Sequence, residues 1–143
     1  MEPIVRLRHG NLFDGPADLI VLPCSTAGTI TGFVARHLIN YSMPHPRIGM
    51  QLGDIEIVPF DGADHIAQYV AFAASVEERS STSAAIEAIG LELGKFTRVQ
   101  SSVRSISAPL LGAGAGGLQS EMVVTALKRG FSAKAALDAT LVD

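Results

Sequence analysis

Two hydrophobic periods alternate along this chain. Ile4 to Arg8 switches between apolar and charged residues, as a half-buried strand does. Leu19 to Leu22 is continuously apolar and short, which suits a strand buried on both faces. Asp54 to Phe60 alternates again, with Ile55 and Ile57 set against Asp54 and Glu56, and Ile66 to Ala74 predicts a further strand. The turn Asp61-Gly62-Ala63-Asp64 between these two predicts a hairpin. Ser105 to Leu111 reads as another buried strand, and Ala139 to Val142 begins a last one.

The helical period governs three other segments. Gly32 to Asn40 carries Phe33, Arg36, His37 and Asn40 at helical spacing. Ser80 to Lys95 has a serine-rich start that supplies caps, then an apolar stripe of Ala85, Ile86, Ile89 and Leu93. Leu118 to Phe131 sets Met122, Val123, Ala126 and Leu127 on one face. His9-Gly10-Asn11, Asp14-Gly15-Pro16, Cys24 to Gly28 and Tyr41 to Gly49 break the pattern as turns or loops. Buried strands alternating with helices in this order predict an α/β sandwich with a largely parallel or mixed sheet. Ligands of such sheets bind at the carboxyl ends of strands. Two loops leave strands there and open helices: Pro23 to Gly32, and Gly112 to Gly117.

Composition narrows the class. At 143 residues the chain is one domain, 1–143, large enough for an apolar core. It is 48% hydrophobic and 17% charged, with no apolar run near the roughly 18 residues of a membrane span. A net charge of −3 and a pI of about 5.7 argue against a general nucleic-acid surface, which needs clustered Lys and Arg. Arg6, Arg8, Arg98, Arg104, Lys128 and Arg129 are scattered instead. A single cysteine, Cys24, excludes an internal disulfide framework. The start MEPIVRLRHG lacks a secretory apolar stretch, so a reducing, cytoplasmic setting is expected. The apolar ending LDATLVD leads us to expect a piece of a longer polypeptide, with other domains as neighbours.

The loop Gly112-Ala113-Gly114-Ala115-Gly116-Gly117 is the strongest chemical signal. Backbone amides approach phosphate oxygens closely where no Cβ intervenes, and a following helix adds its positive dipole end. The same letters fit a tight turn that needs small residues for packing alone. A P-loop would end in Gly-Lys-Ser/Thr, whereas Gly117 precedes Leu118-Gln119. A dinucleotide fingerprint opens its domain, whereas only 26 residues follow Gly117 here.

Three landmarks resemble the macro domains, a family that binds ADP-ribose. His9-Gly10-Asn11-Leu12-Phe13 resembles the family's Gly-Asp-Ile/Leu step. Leu19-Ile20-Val21-Leu22-Pro23-Cys24-Ser25, with Gly28 and Gly32-Phe33-Val34-Ala35, resembles its Ala-Ile-Val-Asn strand, first glycine loop and helix. Ser107 to Glu121 is similar to its second glycine loop. The Gly-Asn-Leu-Phe step and the spacing bring the chain nearest to the branch of terminal ADP-ribose glutamate hydrolases. The resemblance implies a three-layer α/β/α sandwich with a mixed, largely parallel central sheet, and a cleft between the two loops. Gly112 to Gly117 (Gly112, Ala113, Gly114, Ala115, Gly116 and Gly117) would cradle the diphosphate, helped by Gly32, Phe33 and Val34. Asn11, beside Leu12, stands where the family has an acid for the adenine amino group; its carbonyl accepts the same bond without charge assistance. The distal ribose would lie near Cys24, Ser25 and Thr26.

The departures from the family concern catalysis. The lysine and aspartate of the glutamate-hydrolase branch fall by position on Pro59 and about Gly116, neither of which does acid–base work. The asparagine of other hydrolases meets Pro23-Cys24-Ser25. Cys24 reads as a small buried hydrophobe, and His37 as its base would have no orienting carboxylate. His9, His45 and His65 lack metal spacing. The expectation is a binding module for ADP-ribose, or for a protein carrying it, with no cofactor, no metal and no catalytic residue. A hydrolase working through Cys24, Ser25 or a bound water is the alternative, and a degenerate fold used for protein interaction is a third.

Overall fold

Six strands pair into one sheet in the computed structural model, which describes residues 5–8, 17–28, 49–60, 67–78, 80–113, 117–134 and 138–142. In chain order they are β1 (Val5–Arg8), β2 (Leu19–Ser25), β3 (Ile55–Pro59), β4 (Tyr69–Val76), β5 (Ser105–Pro109) and β6 (Asp138–Val142). Helix α1 (Ser83–Val99) joins β4 to β5, and α2 (Ser120–Lys134) joins β5 to β6. The order across the sheet is β1-β6-β5-β2-β4-β3. Every neighbouring pair is parallel except β3 with β4, the arms of the expected hairpin. The hairpin's turn and the helix expected over Gly32 to Asn40 lie outside the described residues.

Local details differ from the sequence pattern for identifiable reasons. β2 runs through Pro23 and Cys24 to Ser25, where a loop was expected from Cys24. Its ladder with β4 carries it past the proline at a point where β5 no longer pairs, so a missing N–H is tolerated. The cap of α1 is Thr82 rather than a serine; its hydroxyl accepts from Ala85 N–H at 3.1 Å. Met122 is 45% exposed. The buried stripe of α2 is Val123, Ala126, Leu127 and Phe131, and Met122 stands one residue off it.

The sheet is apolar on both sides. On one side Leu19, Val21, Ala71, Ala73, Ile106, Ala108 and Leu141 pack against Ile86, Ile89 and Leu93 of α1 and Val123, Leu127 and Phe131 of α2. On the other, Ile20, Leu22, Cys24, Val70, Phe72 and Ala74 are buried with Met50, Phe60 and Ala67. Burial of both faces makes the sheet the middle layer of an α/β/α sandwich.

Two contacts fix this frame. The helices meet backbone to backbone through glycines. A Cβ on Gly90 would stand 2.6 Å from the Leu127 carbonyl oxygen, and one on Gly130 would overlap the Glu87 carbonyl and lie 2.9 Å from Leu91 N. At the amino end of the sheet, Asp18 joins three strands. Its carboxylate accepts from Arg104 N–H at 2.7 Å, Ser105 N–H at 3.1 Å and Gln68 Nε2 at 3.1 Å. Its carbonyl accepts from Gln68 N–H and Tyr69 N–H, and its own N–H donates to Ser105 Oγ at 3.1 Å.

Alanine ordinarily stabilises an exposed helix interior by about 1 kcal/mol over glycine. At Gly130 the overlap outweighs that gain, so Gly130→Ala lowers unfolding free energy by about 3 kcal/mol in urea titration. Asp18→Ala leaves the Arg104 and Ser105 amides without their acceptor and costs about 2 kcal/mol in the same measurement.

Candidate functional site

β2 and β5 are parallel neighbours, yet their ladder covers only Leu19↔Ile106 and Ile20↔Ser107. Beyond it, β2 stays with β4 and β5 stays with β6. The carboxyl ends of the two central strands thus part. Connections leave in opposite directions from this point, the arrangement in which open α/β sheets form a ligand crevice.

Each parting strand feeds a loop built from backbone bonds. After β2, Ser25 folds a tight turn: its hydroxyl accepts from Ala27 N–H at 3.2 Å and its carbonyl from Gly28 N–H at 3.0 Å. Gly28 takes φ +82°. Thr26 N–H donates to the Val76 carbonyl at 3.0 Å, which ties the turn to the end of β4. After β5, Ala113 N–H donates to Leu110 O at 3.1 Å and Leu118 N–H to Gly112 O at 2.9 Å, closing the base of the glycine loop. Gly112 and Gly117 both sit at φ +78°. They differ in surroundings: a Cβ on Gly117 would meet nothing within 4 Å, whereas one on Gly112 would stand 2.9 Å from Ser81 Oγ and 3.1 Å from Leu118 Cδ1.

No protein-family model and no curated protein matches the sequence. Solved structures do match it. The macrodomain of Mycobacterium tuberculosis DarG gives a TM-score of 0.76 at 19% identity, over 98% of this chain and 97% of that one. The macrodomain of Thermus aquaticus DarG gives 0.74 at 20% identity, over 99% of each chain. This is a macrodomain fold. Thermosipho africanus DarTG, solved in complex with ADP-ribose, gives 0.71 at 15% identity over 99% of this chain and 43% of its own.

Within the macrodomain fold, the site residues expected from the sequence divide by position. Cys24, Ser25 and Thr26 lie at the end of β2, and Gly112, Ala113 and Gly117 form the base of the second loop. These two groups belong to the strands that part. Asn11, Leu12, Gly32, Phe33, Val34, Gly114, Ala115 and Gly116 lie outside the described residues. Cys24 is 4% exposed and packs in the core, so what it offers a ligand is backbone. Burial first, and then the charge of Glu56, push its thiol up to about 11.

One positional assignment changes. Pro59 ends an antiparallel strand and pairs with Tyr69, at the amino end of the parallel strands, away from both loops. The hairpin arm that reaches the crevice end is β4, which runs into Glu77 and Glu78. This β4–α1 connection went unnoticed in the sequence, where Ser80 onward served only as a helix start. The signal is the acidic pair Glu77-Glu78, which breaks off a buried strand at its carboxyl end. Among the described residues, no three His, Cys, Asp or Glu side chains gather as a metal site.

The raised Cys24 value has a checkable consequence. A folded pKa above the unfolded one contributes stability below about pH 9, and that contribution is lost as pH rises through about 11. At pH 8 the folded protein therefore resists iodoacetamide, and the urea-unfolded chain is alkylated, as mass spectrometry would read.

Proposed function

We propose that this chain binds ADP-ribose or a related NAD-derived nucleotide, free or carried on a protein, and acts as a reader without catalysis. One observation carries the reading. Where β2 and β5 part, a glycine loop with a backbone-fixed base leads into α2. Amides free of Cβ at the start of a helix suit a diphosphate. The ADP-ribose complex of DarTG, which shares this fold, supports the same ligand class.

In this reading Gly112 to Gly117 hold the diphosphate, with Gly32, Phe33 and Val34 on the facing side. The distal ribose lies over Ser25 and Thr26, and Asn11, beside Leu12, accepts from the adenine amino group. Reading without cutting is favoured because the Cys24 thiol is kept protonated and the glycine loop supplies no acid or base. Hydrolysis of an ADP-ribosyl bond is the second reading, favoured by the carboxylates of Glu77 and Glu78 at the carboxyl end of β4. Release of free ADP-ribose from a modified protein, abolished by Glu77→Gln or Glu78→Gln, would select it.

Isothermal titration with ADP-ribose tests the main reading. Saturable heat is expected, and its absence at about 1 mM ligand overturns the proposal. Gly114→Val puts a side chain into the middle of the glycine run and is expected to weaken binding at least about tenfold, a loss of about 1.4 kcal/mol. A protein-interaction role alone would survive that change.

A further inference from the structure

β2 and β4 run in step, residue for residue, from Leu19↔Tyr69 to Cys24↔Ala74, and Ser25 then pairs with Val76. Ser75 is therefore an extra residue in the ladder, a bulge. Bulges between parallel strands are uncommon. Where they occur they bend the strand, and next to functional sites they re-aim a residue or end the pairing. Ser75 is fully buried, and its hydroxyl has no hydrogen-bond partner among the described residues. What Ser75 brings to the fold is thus its place in the chain, not a bond from its side chain.

The consequence falls on the first loop. Beyond the bulge, the Val76 carbonyl accepts from Thr26 N–H at 3.0 Å. In a regular parallel ladder the Thr26 carbonyl would take its next bond from β4 as well. Pairing stops instead: Glu77 and Ser80 exchange backbone bonds of 2.8 and 3.0 Å in a tight turn, and the Thr26 carbonyl accepts from Gly49 N–H at 3.2 Å. Thr26 thus joins the tail of β4 to the segment that returns at Gly49. The turn from Ser25 to Gly28 is bonded within itself, so these two bonds to other segments place it as a unit.

We propose that Ser75 is a positioning residue for the ribose end of the site: as the extra residue of β4 it ends the β2–β4 ladder at Val76 and sets the Ser25 to Gly28 turn where the terminal ribose of ADP-ribose lies. It acts through Val76 and Thr26 and touches no ligand. The proposal rests on the ADP-ribose reading above.

The test is deletion of Ser75. The pairs Ala74↔Cys24 and Val76↔Ser25 then follow one another in a regular ladder, so the sheet is kept and the bend is lost. The readouts are thermal melting and isothermal titration with ADP-ribose and with ADP, which carries the same adenosine and diphosphate without the terminal ribose. The deletion is expected to weaken ADP-ribose about five- to tenfold and ADP by less than about twofold. Thr97→Ala is the control for destabilisation alone: it removes a buried 2.9 Å bond to the Gly94 carbonyl near the far end of α1, and is expected to lower the melting temperature with both affinities unchanged. Unchanged ADP-ribose affinity in the deletion variant, or an equal loss for both ligands, overturns the positioning role and leaves the ADP-ribose reading standing. A deletion variant that does not fold passes the decision to hydrogen exchange in the wild-type protein. There ADP-ribose is expected to slow exchange of the Thr26 amide at least about fivefold more than ADP does, and equal slowing overturns the role. A wild-type protein that binds neither ligand overturns both readings, and the wild-type titration alone reports that.

Discussion

Asp18 is the point on which the middle of this sheet depends. Seven hydrogen bonds at one residue draw the entries of β2, β4 and β5 together. The only two rungs between β2 and β5 follow at once, at Leu19↔Ile106 and Ile20↔Ser107. Strands pinned at one end and paired to different neighbours thereafter diverge with the twist of the sheet. The parting of β2 and β5 at the far end is thus a consequence of the clamp at the near end. A carboxylate suits the task because it accepts from several backbone donors at once.

The helix layer serves the same end. Gly90 and Gly130 let α1 and α2 approach until backbone meets backbone, and the start of each helix is then fixed relative to the other. Those starts matter: α2 follows the glycine loop, and α1 follows Ser81, which lies against it. Leu127 and Phe131, on either side of Gly130, carry the contact into the core over Ile106 and Ala108. Close helix packing therefore sets where two loop segments sit without touching any ligand.

Much of this was legible in the sequence. Continuous apolar runs marked β2 and β5, the alternation of Ile55 and Ile57 marked β3, and the stripe from Ala85 to Leu93 marked α1. The second glycine loop was legible because missing side chains are a local signal. Other features were not. Nothing local marks Asp18, since its partners Arg104 and Ser105 lie 86 and 87 positions away and Gln68 lies 50 away. Nothing local marks Gly90 and Gly130, because a helical period says nothing about how near another helix comes. Counting along the chain puts the lysine position of the glutamate-hydrolase branch at Pro59, but an antiparallel arm ends at the amino end of the parallel strands, away from both loops. The bulge at Ser75 is a matter of register between strands, which one strand's letters do not contain.

The base of the glycine loop is closed by two main-chain bonds, and its corners are set by two left-handed glycines. Nothing in that construction calls for a particular functional group. A loop built this way excludes bulk and leaves the choice of functional groups elsewhere unconstrained. The same shape is therefore compatible with about four residues in five being different, as the 19% and 20% identities to the DarG macrodomains illustrate. A fold of this kind is specified by volumes left empty as much as by the groups that fill the others.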